Sequence, residues 1–194
     1  KVIDEHGPES IGFIGSPFGT NEELYLYHKL FRLELGTNNL DHKAYLDTPG
    51  LPVDHYDFLN IETVNLVLLV GSDPSEELPI LDLRIKKAVT RKGVKLAILN
   101  DQKTELDKFA DLSLRYDVGE DGVTLATLAN GLAEELGMPP VEGSPGDKSK
   151  TGIAPEQMKK MVDLVRTAMK VCVVFNPASL TGSSIHMLKH LLTV

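Results

Sequence analysis

The sequence predicts an α/β fold of parallel sheets with helices on both faces, a three-layer α/β/α arrangement. Three observations carry this. Short continuous apolar runs, the clearest being Val64 to Val70 (VNLVLLV), read as strands buried on both sides. Each run ends in a polar turn rich in Gly, Ser, Asp or Asn. Each turn opens onto a segment whose apolar residues recur every three or four positions, so the plan is strand, turn, helix, repeated.

Ile11 to Ile14 is the first expected strand and ends at Gly15. Thr20 and Glu23 have capping-box spacing, so a helix is expected from Asn21 to Leu35, stopped by Gly36. Leu24, Tyr27, Leu30, Phe31 and Leu35 form its apolar stripe, with Glu22, Lys29 and Arg32 on the wet side. From Gly36 to Asn60 the chain turns polar and Pro-rich, an irregular connection of a length that is usually functional. Val64 to Val70 leads through Gly71-Ser72-Asp73-Pro74 to a helix from Pro79 to Arg91, with Leu81, Ile85, Ala88 and Val89 inward. Pro79 suits its first turn and Gly93 its exit. Lys95 to Leu99, ending at Asn100-Asp101, is the next strand. Phe109 to Leu114 follows, then a helix carrying Val123, Leu125, Leu128, Leu132 and Leu136.

Met138 to Gly152, dense in Pro, Gly, Ser and charge, reads as a linker. Beyond it a helix from Pro155 to Lys170 places Met158, Met161, Val162, Val165 and Met169 on one face as core filler. The strand Val171 to Phe175, the polar turn Asn176 to Ser184 and a closing helix with Ile185, Leu188 and Leu192 inward complete the chain.

Composition narrows the function. At 194 residues and 42% hydrophobic, the chain can bury a substantial core. A net charge of −8 and the lack of a basic stripe argue against a nucleic-acid partner. Cys172 is the single cysteine, so neither an intrachain disulfide nor a cysteine-ligated metal cluster is expected. No apolar run approaches the ~20 residues of a spanning helix, and no signal peptide is seen, so no direct membrane insertion is expected. The chain begins with Lys1, and KVIDEHGPES reads like the tail of an earlier element, so a fragment of a longer protein is expected.

Three turns fall at the carboxyl ends of presumed parallel strands: Gly15 to Asn21, Gly71 to Ser75, and Asn100 to Lys103. Open α/β sheets bind ligands at that edge. Neither G-x-x-x-x-G-K-[ST] nor G-x-G-x-x-G occurs, and no triad order or HExxH pair appears, so the signal is position alone. His42 and His55 in the long connection read as surface or hydrogen-bonding residues before metal ligands.

GSPFGTNEELYLYHKLFRLELGTNNLDHKAYLDTPG resembles a segment of molybdopterin-dependent oxidoreductases such as formate dehydrogenases, in which a T-N-E-E helix leads to a G-T-N-N turn. VNLVLLVGSDPSEELPILDLRIKKAVTRKGVKLAILN resembles the same family's strand, pterin-facing turn, helix and next strand. Within that family, the Asp-His after the TNN and the lost catalytic positions look most like the large iron–sulfur subunit of NADH:quinone oxidoreductase, respiratory complex I.

Several departures from the catalytic pattern follow from the resemblance. Asp47-Thr48 stands where active relatives place a metal-binding Cys or selenocysteine followed by His. Asn100-Asp101-Gln102-Lys103 stands where they have D-P-R, whose arginine helps hold the pterin dinucleotide. Gln and Lys do not reproduce a two-pronged guanidinium clamp. Ser16, Thr20, Asn21, Gly71, Ser72, Asp73, Asn100 and Asp101 are therefore expected to be vestigial pterin-side positions, with no catalytic residue and no metal ligand in this chain. The resemblance further implies one α/β domain from residues 1–36 plus 151–194, an inserted one from 37–137, and a linker from 138–150.

The function implied is a non-catalytic scaffold in the peripheral arm of complex I. It would contact the arm's other subunits at the cytoplasmic side of the inner membrane. No cofactor is expected in this chain, and the iron–sulfur clusters are expected in a missing N-terminal part. The alternative is part of an active molybdopterin oxidoreductase, with Asp47 as metal ligand and the loops around Ser16, Ser72 and Asp101 holding the cofactor.

Overall fold

A computed structural model of the chain describes residues 1–16, 19–41, 58–141 and 151–192. The chain divides into two compact units, Lys1–Asp47 and Thr48–Val194. Among the expectations above, those on His42, Asp47, Thr48 and His55 lie outside the described residues.

The first unit holds α1 (Val2–His6), β1 (Phe13–Ile14), α2 (Asn21–Lys29) and β2 (Leu40–Asp41), with β1 and β2 paired in parallel. The expected capping box is present: the Glu23 N–H donates to Thr20 Oγ1 (3.2 Å) and the Thr20 N–H to Glu23 Oε2 (2.9 Å). The helix then widens into one π-helical turn, Leu30–Glu34, before Gly36 reverses the chain at φ 72°. The Thr37 hydroxyl donates to the Ile11 carbonyl, and Asn39 Nδ2 to the Glu9 carbonyl, so the G-T-N-N stretch serves as a structural turn. The expected apolar stripe is not buried. Leu24, Phe31 and Leu35 are half-buried and Tyr27 and Leu30 exposed. Within its own unit the helix has little more than a two-stranded sheet to pack on, and its ring contacts are Phe13 with Tyr27 (4.5 Å) and Phe31 (4.8 Å).

The second unit is the three-layer part. Its all-parallel sheet has the order β5-β4-β3-β6, with β3 Leu66–Val70, β4 Lys95–Asn100, β5 Leu112–Arg115 and β6 Val171–Phe175. Every residue of β3 is buried, as its unbroken apolar run requires. Leu66, Leu68 and Val70 face one core with α5 (Asp121–Glu135), α6 (Pro155–Arg166) and α7 (Gly182–Leu191). Val67 and Leu69 face the other with α4 (Pro79–Lys92) and the 3-10 turns Phe58–Thr63 and Glu105–Phe109. Ahead of α4 lies a single-turn helix, α3 (Pro74–Glu77). A Cβ on Gly131 in α5 would sit 2.7 Å from Val162 Cγ2, so glycine is what lets α6 approach α5 this closely.

Two further sequence expectations need correction. The strand of residues 171–175 does not join the sheet of residues 1–36. It pairs in register with β3, Leu66 with Val171 through Val70 with Phe175. The reason is its alternation: Val171, Val173 and Phe175 pack on one core while Cys172 and Val174 pack on the other, completing both. Residues 151–192 therefore belong with β3 to β5, and residues 37–41 with the first unit. Met169 also leaves its expected face. The helix ends at Arg166, the periodicity stops there, and Met169 is 95% exposed.

Candidate functional site

The carboxyl edge of the four-stranded sheet gathers five of the eight candidate positions. β3 runs into Gly71, whose φ of 52° turns the chain sharply, and whose N–H donates to the Leu99 carbonyl at 3.0 Å. A Cβ there would meet Leu180 Cδ2 at 2.7 Å and the Tyr116 hydroxyl at 3.3 Å. Both neighbours are buried, so the space above the strand end is filled by the protein's own side chains.

The polar groups of this edge satisfy one another. Ser72 Oγ donates to Glu77 Oε2 (2.7 Å), and Asn176 Nδ2 donates to Glu77 Oε1 (2.8 Å). Glu77 thus ties the end of β3 to the end of β6. Asn100, the last residue of β4, donates from Nδ2 to the Ser72 carbonyl (3.1 Å), while its Oδ1 accepts from the Asp101 N–H (3.0 Å). Asp73 caps α3 by accepting from the Ser75 N–H (3.1 Å) and Oγ (2.5 Å).

At the start of α5, Asp121 accepts from the Thr181 N–H (2.7 Å) and from Ser184 Oγ, joining the start of α7 to that of α5. Burial, reinforced by the nearby Asp101 and Asp121 carboxylates, pushes the Tyr116 phenol well up, so it stays a neutral donor. The cation nearest in sequence, Arg115, is committed. It pairs with Asp107 and donates to Ser113 Oγ (2.9 Å) and the Leu114 carbonyl (3.1 Å). The edge therefore offers carboxylates, amides and hydroxyls, with Lys103 exposed at the far end of its turn.

Ser16, Thr20 and Asn21 are not part of this edge. They follow β1, in the other sheet and the other compact unit, where Thr20 caps α2 and all three are exposed at its surface. Among the described residues no group of three or more His, Cys, Asp or Glu is placed to hold a metal ion, and no helix is long and apolar enough to cross a membrane. Sequence reasoning missed Glu77, Tyr116, Asp121 and Asn176. Asn176 was within reach, because it follows β6 as Gly71 follows β3. Glu77 gave no signal beyond being one acidic residue of a helix turn.

Comparison with known proteins adds a family. The sequence pattern described as molybdopterin oxidoreductase matches residues 1–187. The probable oxidoreductase YjgC of Bacillus subtilis is 32% identical over 90% of this chain, which spans 21% of that protein. The alpha subunit of NADPH-Fe(3+) oxidoreductase from Geobacter sulfurreducens is 30% identical over 70% of this chain and is covered for 17% of its length. The putative formate dehydrogenase YrhE of B. subtilis is 32% identical over 70% of this chain, with 15% of its length covered. The chain thus spans about a fifth or less of these relatives. Acetylene hydratase from Pelobacter acetylenicus matches in structure with a TM-score of 0.62 at 18% identity, covering 98% of this chain and 30% of that one, a likeness of fold.

Proposed function

The chain belongs to the molybdopterin oxidoreductase family, and from that premise we propose that it is a non-catalytic scaffold portion of an NADH:quinone oxidoreductase of the complex I type. On this reading it supports an electron path through iron–sulfur clusters bound outside these 194 residues. It does so in the peripheral arm, beside that arm's other subunits, at the cytoplasmic side of the inner membrane.

One observation carries the reading. Glu77 bridges Ser72 and Asn176 across the strand ends where the family's pterin dinucleotide would lie. A pyrophosphate there needs cations or unengaged N–H donors. The residues present do not fit that need: a carboxylate occupies the crossing, Arg115 is held by Asp107, and Leu180 fills the space over Gly71. Opening the edge would break the Ser72–Glu77 and Asn100–Ser72 hydrogen bonds, a net cost of about 0.5–1.5 kcal/mol for each.

A second reading is favoured by the relatives named as formate dehydrogenases. There the chain is part of an active enzyme, Asp47 is a metal ligand, and the loops around Ser16, Ser72 and Asp101 hold the pterin. Measuring molybdenum, tungsten and pterin in the full-length protein separates the two. The scaffold reading expects less than about a tenth of an equivalent of each, and stoichiometric pterin with metal overturns it.

A further inference from the structure

Helix α7 turns Ser184, Met187, Leu188 and Leu191 inward, all of them buried. His186 and His190, one turn apart, are left on its outer side, His186 exposed and His190 half-buried. Their Nε2 atoms lie 3.3 Å apart, with ring centroids 4.7 Å apart and the rings at 82° to each other. In a neutral pair, one Nε2–H donates to the other nitrogen. The same spacing suits another occupant. Two nitrogens each about 2.0–2.1 Å from a tetrahedral Zn²⁺ are about 3.3–3.4 Å from one another.

We propose that His186 and His190 form a two-imidazole site for a borderline divalent cation such as Zn²⁺ or Ni²⁺. The helix presents the pair already in place. Its buried stripe fixes its rotation, and Asp121 fixes its start through the Thr181 N–H and Ser184 Oγ, so little ordering is left for the metal to impose. Imidazole nitrogen selects Zn²⁺, Ni²⁺ or Cu²⁺ over Mg²⁺ and Ca²⁺, which take oxygen ligands. Among the described residues no group of three or more such ligands gathers, so within them the pair supplies two ligands.

The test is calorimetric titration of Zn²⁺ and of Ni²⁺ into the chain prepared without a histidine tag. One equivalent should bind, His186→Gln and His190→Gln should each lose at least tenfold in affinity, and His28→Gln should lose none. Mg²⁺ at the same concentration should give no heat. Circular dichroism without metal checks that each variant is folded. Independently, in the unsubstituted chain, the imidazole nitrogen resonances of two of the six histidines should shift with one equivalent. Unchanged affinity in both folded variants, equal binding of Mg²⁺, or shifts in none or in all six overturns the proposal.

Discussion

Helices α2 and α5 show what local sequence signals do and what they leave undone. α2 starts with a complete capping box yet none of its residues is buried. α5 has no side-chain cap at all and buries nine of its residues, among them Leu125, Leu128, Ala129 and Leu132. A cap fixes where a helix begins, and the layers around it fix how firmly it is held. The same contrast separates the two units: Thr37 is the one buried residue among those described in Lys1–Asp47, while Thr48–Val194 contains both cores.

The largest effect is expected at the centre of the second unit. Leu69 on β3 is fully buried between β4, β6 and the α4 layer. Leu69→Ala should destabilise by about 2–5 kcal/mol through lost burial and the cavity left behind. Denaturant unfolding followed by circular dichroism measures it, and a loss below about 1 kcal/mol would mean that the core is not the main source of stability.

Asp121 comes next. The residue is 3% exposed and its carboxylate satisfies the start of α7, so Asp121→Ala leaves the Thr181 N–H and Ser184 Oγ without this acceptor. A loss of about 1–3 kcal/mol is expected. Faster amide exchange at Thr181, with β4 unchanged, would locate the damage; uniform exchange across the unit would assign Asp121 to the core as a whole.

How much of this was legible depended on range. The runs at residues 64–70 and 171–175, and the helix after Pro79, were readable because each is apolar in a period its own segment defines. The partner of β6 was not readable: nothing within VCVVF says whether it lies beside β1 or β3, and that choice rests on which two cores lack a wall. Likewise the turn at Gly71 to Asp73 was located correctly at a strand end, but its closure by Glu77 and Asn176 joins residues 99 positions apart, beyond any local pattern. Asp82 is a further case. It falls on the buried side of α4, where Lys86 Nζ pairs with it at 2.7 Å, and the sequence reading did not single it out.

The pH dependence sharpens the comparison at β5. Asp107 is partly buried, which raises its carboxyl, but hydrogen bonds from Ser113 and the Thr104 N–H and the Arg115 charge outweigh this and hold it below the ordinary value of 3.8. A depressed folded value means the stabilisation is complete above about 4 and is lost as the pH falls through the folded value. Asp107→Asn should cost about 2 kcal/mol at pH 7, from hydrogen bonds to a charged group. Variant and parent should converge as the pH falls below the folded value of Asp107. Denaturation midpoints between pH 2 and 7 test this, and a constant difference across that range would show that packing, not charge, is what the substitution removes.

The smallest effect tests the contrast directly. Thr20 accepts from the Glu23 N–H, and Thr20→Ala removes half of the capping box, a change of about 1 kcal/mol in local helix stability. Because α2 has no buried face to hold it, that loss should appear as about fivefold faster amide exchange within α2, while the amide of Leu69 exchanges as before. The logic depends on cooperativity: a cap matters globally only if the helix it starts is part of the unit whose opening exposes the core. Equal acceleration at α2 and at Leu69 would show that Lys1–Asp47 and Thr48–Val194 open together, and burial within one unit would then no longer explain how firmly its helices are held.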